Sequence, residues 1–256
     1  MDAGRHTREP QLRKDLYIRL ERISAWCGVV LLIGFIAAFG AGGILTPMSP
    51  TKSPADIATF LQDHRTGILW CTVIMVLTVP FEYPYVVVTS LQLKRVEGGW
   101  GLLSMIQLTT GVVAPLGFFF PLAILSAAAY RPDIHSADVL AAMSDTFWLM
   151  LVGNACIFVL QVWSIGYAAF IDRRERQVFP RWYGWLSVVL GVLLIPGAFV
   201  YLNHSGPLAW NGVLANTIPS LTYFVWKIAT PYVLLKAIRS EERELAGTAE
   251  SEPLTV

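Results

Sequence analysis

Three polar side chains stand isolated inside long apolar runs of this 256-residue chain: Glu82, Gln161 and Lys227. Of 18 acidic residues only Glu82 falls within such a run, and of 19 basic residues only Lys227 falls deep within one. A lone charge in a bilayer costs at least ~2.5–3.5 kcal/mol on insertion scales. Opposite charges at one depth lessen that cost by pairing. Glu82 lies 14 positions past Ile68, Lys227 14 past Val213 and Gln161 15 past Thr146. At 1.5 Å per helical residue all three sit about 21 Å from the start of their runs. The spacing therefore predicts a Glu82–Lys227 contact, with Gln161 meeting the remaining donors and acceptors. Pro80 and Pro84 flank Glu82 and Pro231 follows Lys227 by four. Proline frees backbone carbonyls that can also accept from the ammonium.

Such a layer can do several things. It can pass a proton between carboxylate and amine, or hold the polar group of a lipophilic ligand. Glu82 can serve as the acid or base of a membrane-embedded isomerase or cyclase. The bland readings are an ion pair that fixes helix order, or a Lys227 that snorkels toward the headgroups.

Other polar residues are weaker candidates. Gln107, Asn154 and Asn211 have the character of interhelical hydrogen-bonding groups rather than catalysts. His64, His135 and His204 fall one in each of three connections, with Asp63, Asp133 and Asp145 nearby. Imidazole and carboxylate together suit zinc, but no H-E-x-x-H or H-x-x-x-H spacing is present, so no metal site is assigned. Arg131-Pro132-Asp133 reads as a turn whose Arg and Asp can pair. There is no phosphate-binding glycine loop and no G-x-S-x-G elbow. Cys27, Cys71 and Cys156 sit in apolar runs, lack C-x-x-C spacing and read as small buried hydrophobes. No cofactor motif is recognisable.

The elements that must position these groups follow from composition. The chain is 55% hydrophobic and 14% charged, with a net charge of +1. Soluble proteins carry roughly 25% charged residues, so a soluble domain is excluded. A nucleic-acid binder is excluded by the absence of a basic footprint, and disorder by the apolar content. An all-α, polytopic transmembrane bundle of six helices is expected, because a crossing needs roughly 20 apolar residues and lipid offers the backbone no partner. The crossings are expected at 25–45, 68–93, 101–129, 146–171, 184–203 and 211–238. The first is about 21 residues, too long for a signal-peptide core of 7–15, and is expected to be retained as an anchor.

Fifteen basic residues flank one side of this threading: six before the first crossing, Lys94 and Arg95, four from Arg173 to Arg181, and Lys236, Arg239 and Arg243. Only Lys52, Arg65 and Arg131 fall on the other. The positive-inside rule then expects both termini in the cytoplasm. Trp26, Trp70, Trp100, Trp148, Trp182, Trp185 and Trp210 lie near the start of a crossing, where headgroup-level indoles belong. Outside, Ser53-Pro54-Ala55-Asp56 reads as a helix start, and Ser136 with Asp138 as another, both possible lids. Residues 1–24, with Leu12, Leu16, Leu20 and Ile23 among basic residues, read as an interfacial amphipathic helix. Residues 25–239 form the transmembrane domain, and 240–256, rich in Glu, are expected to be disordered. Gly34, Ala38 and Gly42, four apart, suit close helix contact, within the protein or with a partner.

Several loop pieces carry a resemblance: Pro50 to Phe60, Gln92 to Gly98, Arg131-Pro132-Asp133, Val178 to Trp182 and Gly206 to Gly212. With these the chain resembles a family of six-helix, actinobacterial-type integral membrane proteins to which no activity is assigned. The resemblance implies the bacterial cytoplasmic (inner) membrane. Lys227 and His204 depart from that family's pattern, which makes the ion pair and the histidine set features of this member.

Three functions are consistent with the residues. One is a carrier or binder of a small lipophilic or amphipathic molecule at the central polar layer. Another is the Glu82-dependent isomerase or cyclase. The third is a non-catalytic subunit or assembly factor that meets another membrane protein. The absence of an enzyme motif counts against the second, and the expected unbroken helices count against a secondary transporter. Partners are membrane lipid, a lipophilic small molecule or another membrane protein, and not nucleic acid.

Overall fold

In the computed structural model, which describes residues 3–251 and the side chains of 14–246, the chain is all-α, with no strand among the described residues. Ten α-helices follow in order: α1 (Ala3–Ala41), α2 (Pro54–Asp63), α3 (Arg65–Thr78), α4 (Glu82–Glu97), α5 (Leu102–Val113), α6 (Leu116–Tyr130), α7 (Ala137–Gly153), α8 (Val159–Ile171), α9 (Arg181–Leu194) and α10 (Ile218–Ser251). Five stretches are long and apolar enough to cross a membrane: 14–41, 65–97, 102–130, 137–171 and 181–202. The apolar part of α10, which carries Lys227, is not among them. Many long apolar helices of this kind are consistent with a multi-pass membrane protein.

Local chemistry explains the smaller elements. Ser53 caps α2: its hydroxyl accepts from the Asp56 N–H, the Asp56 carboxylate accepts from the Ser53 N–H, and Pro54 occupies the first turn. This capping box fixes the start of a separate short helix. Ser136 behaves differently from the expectation of a second small helix. It caps α7, which runs on without a break into the fourth apolar stretch. Leu140 therefore belongs to the first turns of that long apolar stretch and not to a separate small helix.

The expected break between residues 24 and 25 is also absent, since α1 is one helix of 39 residues. Leu16, Leu20 and Ile23 are exposed along it, while the side chain of Leu12 lies outside the described residues. At the other end, the acidic tail expected to be disordered from 240 is helical to Ser251. The reason is tertiary. Glu241 and Glu244 meet Arg95 at 3.3 and 3.0 Å, and Glu242 pairs with Arg22. Arg95 of α4 and Arg22 of α1 thus hold the acidic turns of α10. Residues 252–256 lie outside the described residues.

The largest departure concerns helix continuity. The helices are expected to be unbroken, yet most of the apolar stretches are interrupted. A 3-10 turn at Val79–Phe81 separates α3 from α4, a bend at Ala114-Pro115 separates α5 from α6, and a 3-10 turn at Asn154–Phe158 separates α7 from α8. A 3-10 segment at Ile195–Leu202 follows α9, and a π turn at Val213–Thr217 precedes α10. Pro80, Pro115, Pro196 and Pro219 stand at or beside four of these breaks, where the missing N–H stops the ladder. Among these apolar stretches only the one in α1 is unbroken.

α1 packs against α3, α4 and α10; α8 packs against α5 and α9; α6 packs against α3 and α7. Gly34 lets α1 approach Thr78, where a Cβ would stand 2.5 Å from the Thr78 methyl. Ala38 is fully buried and Gly42 abuts Cys71, so this small-residue stripe is spent inside the protein. The buried apolar side chains divide into two cores. One holds Tyr85, Phe158, Val162, Tyr183 and Trp226; the other holds Phe39, Ile68, Phe147, Trp148 and Trp210. Phe118 packs against both.

Candidate functional site

Glu82 is the first residue of α4, set there by the 3-10 turn that Pro80 enforces. Lys227 lies on α10, nine residues past its start. The two meet: Lys227 Nζ donates to Glu82 Oε1 and Oε2, both at 2.6 Å. Lys227 is 0% and Glu82 2% exposed. The predicted contact between these helices is therefore present, and Lys227 does not snorkel.

The ammonium has further neighbours that the sequence reading passed over. Its Nζ lies 4.4 Å from the ring centre of Tyr85, 4.9 Å from that of Trp226 and 5.5 Å from that of Tyr223. Ring faces are negative and attract a cation, more so when both are desolvated. A carboxylate and three rings thus form a complete receptor around one ammonium. The cage follows from helix spacing. Tyr85 is three residues past Glu82, and Tyr223 is four before Lys227, so each shares a helix face with its charge. That spacing was a usable signal. Gly28 of α1 makes room for the Tyr85 ring, since a Cβ there would stand 2.7 Å from it. The second shell continues to Tyr183. Thr230 donates to the Trp226 carbonyl at 2.7 Å, so the Tyr183 hydroxyl donates to Thr230 at 2.5 Å.

Gln161 does not complete the pair. It is fully buried on α8, but its amide lies over Gly111 of α5 and has no hydrogen-bond partner. The physical reason is rotation: α8 turns this face to α5, an orientation that depth along a helix does not specify. Gln107, on α5, instead accepts from Ser90 of α4, which joins those two helices. Asn154 opens the Asn154–Phe158 turn and is half-buried, and Asn211 is exposed in the turn ahead of the π segment.

The outer-face candidates stay apart. His64 stacks on Phe60 at 4.2 Å, His135 is half-buried after a short 3-10 turn, and His204 is exposed and interacts electrostatically with Asp145. Among the described residues no three His, Cys, Asp or Glu side chains are grouped to hold a metal ion. Arg131 lies over the Tyr130 ring at 5.8 Å and makes no ion pair with Asp133. Trp148 and Trp210 are buried rather than at a headgroup surface; Trp210 donates to the Met48 carbonyl at 2.8 Å. Trp26, Trp70, Trp100, Trp182 and Trp185 are exposed.

A cavity adjoins the caged pair. Its volume open to the centre of a water molecule is about 130 Å³, and aromatic rings dominate its wall: Phe35, Phe39, Phe118, Trp148, Phe158, Tyr223 and Phe224. Asn216 and Ser220 supply the polar part of that wall. Between cavity and carboxylate stand three rings. Phe118 and Phe158 are 5.8 Å apart, Phe118 and Tyr223 5.7 Å, and Phe158 and Tyr223 5.3 Å. Beyond Phe118 and Phe158 a closed gap, too small for a water molecule, touches Glu82 and is bounded by Leu31, Val79, Ala114 and Pro115. The helix breaks cluster here. Val79, Ala114 and Pro115 touch the gap, whereas Ala155, Ala215 and Asn216 touch the cavity.

A distinct polar cluster ties the two ends of the chain. The Gln92 amide donates to Glu21 at 3.0 Å and to Glu241 at 2.8 Å, and Arg95 donates to Gln92 at 2.7 Å.

No protein-family model, no curated protein and no solved structure matches this chain. Function must be argued from the geometry.

Proposed function

We propose that this protein is a carrier or binder of a small lipophilic or amphipathic molecule, which enters the aromatic cavity and presents its polar group to the Glu82–Lys227 layer. The observation that carries this reading is the adjacency of the two parts. An apolar pocket with a few convergent polar groups is the usual form of a small-molecule site, and here its floor of Phe118, Phe158 and Tyr223 is also the roof over a buried charge pair. Broken helices around that layer support it further. Interrupted helices at mid-depth mark substrate sites in transporters, and a 3-10 or π turn inside a helix is a common hinge. The expectation of unbroken helices, which weighed against transport, does not hold for this fold.

The same proposal places six helices across the bacterial cytoplasmic membrane, with α10 as the sixth and both termini in the cytoplasm. The basic-residue asymmetry supports that orientation. Its kinship is with the actinobacterial-type family named above.

Native mass spectrometry of the protein purified in mild detergent, with small-molecule analysis of what is released, tests the reading. A bound lipophile at up to one per chain is the expected result. An empty particle, or one that carries only a stoichiometric second protein, would overturn it.

A further inference from the structure

We infer that the molecule taken up by this cavity is a lipophilic cation, which binds Glu82 in exchange for the proton of Lys227. The inference rests on the reading above and names its ligand class.

Glu82 with the rings of Tyr85, Tyr223 and Trp226 is already a cation receptor, and the chain's own ammonium fills it. The cavity beside it is walled by further rings. Phe118 and Phe158 line both this cavity and a closed gap, without room for a water molecule, that touches Glu82 and not Lys227. A ligand that parts these rings meets negative ring faces and then a carboxylate.

The three possible ligand charges rank accordingly. An anion would have to pass negative ring faces and then compete with the Glu82 carboxylate already bound to Lys227. A neutral lipophile gains apolar burial only and leaves the pair as it is. A cation is favoured at every stage by the rings and the carboxylate. When it takes Glu82, Lys227 would be left as an uncompensated buried charge, which is strongly unfavourable. Lys227 therefore releases a proton and remains as a neutral amine among its rings. Charge balances: cation plus the ammonium–carboxylate pair gives the cation–carboxylate pair, neutral Lys227 and one proton to water. Only an N–H bond breaks, and no electron changes hands.

The other titratable groups around the pair are phenols: Tyr85 on α4, Tyr223 on α10 and Tyr183 on α9. α1, the α5–α6 bend and the Asn154–Phe158 turn present Leu31, Ala114, Pro115, Phe118 and Phe158 to Glu82, none of which titrates. Lys227 is thus the one basic group there able to give up the proton.

The test compares benzyltrimethylammonium with neopentylbenzene, its neutral isostere, and with 4-tert-butylbenzoate. All are titrated into the full chain in lipid nanodiscs by calorimetry in two buffers of different ionisation enthalpy. The expected result is cation binding at least about tenfold tighter than the isostere. One proton should be released, so affinity should rise about tenfold per pH unit. Lys227→Met should bind the cation with no proton release and no pH dependence, and Glu82→Gln should lose the preference for it. The wild-type proton count stands even if either variant fails to fold. Equal binding of cation and isostere, tightest binding of the benzoate, or cation binding without proton release would each overturn the inference while the lipophile site remains. Binding of none of the three would overturn that site as well.

Discussion

The ammonium of Lys227 is held by both carboxylate oxygens of Glu82 at 2.6 Å each, across 145 residues of sequence and beneath three aromatic rings. The rings give this pair a polarity: positive group in the cage, negative group outside it. Lys227→Met leaves Glu82 buried without a partner and should destabilise the fold by about 3–5 kcal/mol. Glu82→Gln with Lys227→Met together should recover most of that loss. Charge reversal, Glu82→Lys with Lys227→Glu, should recover less, because it sets a carboxylate against ring faces. Denaturant unfolding in detergent measures all three. A reversed pair as stable as the wild type would show that the cage has no polarity.

Gly28 controls the cage from α1. A Cβ there would stand 2.7 Å from the Tyr85 ring, which is fully buried. Gly28→Ala should cost about 1–3 kcal/mol by overpacking. Near-ultraviolet circular dichroism of the aromatic cage should change with it. An unchanged spectrum and unfolding midpoint would mean that α1 shifts to accommodate the methyl.

Ser220 offers a way to fill the cavity without touching its core. It is exposed yet lines the cavity, and its hydroxyl donates to the Asn216 side chain at 3.2 Å. Ser220→Trp should leave stability within about 0.5 kcal/mol, as surface changes usually do. Copurified lipophile should fall at least about tenfold, read by mass spectrometry. Undiminished occupancy would place the ligand elsewhere.

Arg95 holds the last turns of α10. It pairs with Glu241 and Glu244 and donates to Gln92, whose amide in turn binds Glu21 and Glu241. Partly exposed pairs of this kind contribute up to about 1 kcal/mol each. Arg95→Ala should therefore leave the bundle folded but speed amide exchange at least several-fold across 239–246. High salt should do the same to the wild type, since it screens these charges.

The capping box of α2 should respond to acid. Hydrogen bonds from the Ser53 hydroxyl and backbone N–H hold the exposed Asp56 carboxyl below the ordinary carboxylate value. A lowered folded-state pKa means that this stabilisation is complete above the unfolded value near 4 and is lost as pH falls through the folded value. Amide exchange in 54–63, corrected for its intrinsic pH dependence, should accelerate below pH 4. Ser53→Ala should weaken that pH dependence, because only the backbone N–H then remains to hold the Asp56 carboxylate, and α2 should open more readily already at neutral pH.

Much of this protein is determined by its residues in order. Apolar content and run length specify a helical membrane-type chain, because a backbone in lipid must satisfy its own hydrogen bonds. Two opposite charges at equal depth specify a pair, because neither is tolerable alone. Ser53 and Asp56 specify the start of α2 through bonds that span only three residues. Rotation about a helix axis and contacts between distant segments are different in kind. Depth placed Gln161 beside Glu82 and Lys227, yet the face that α8 turns toward α5 takes it away. Composition made 240–251 a loose acidic tail, yet Arg95 and Arg22 arrive from other helices to hold it. Prolines marked where helices can break, but only packing brought those breaks around one cavity. The ring cage also needed the fold: sequence spacing sets Tyr85 near Glu82 and Tyr223 near Lys227, and α1, which Gly28 lets close on Tyr85, packs against both α4 and α10 where the rings meet one ammonium.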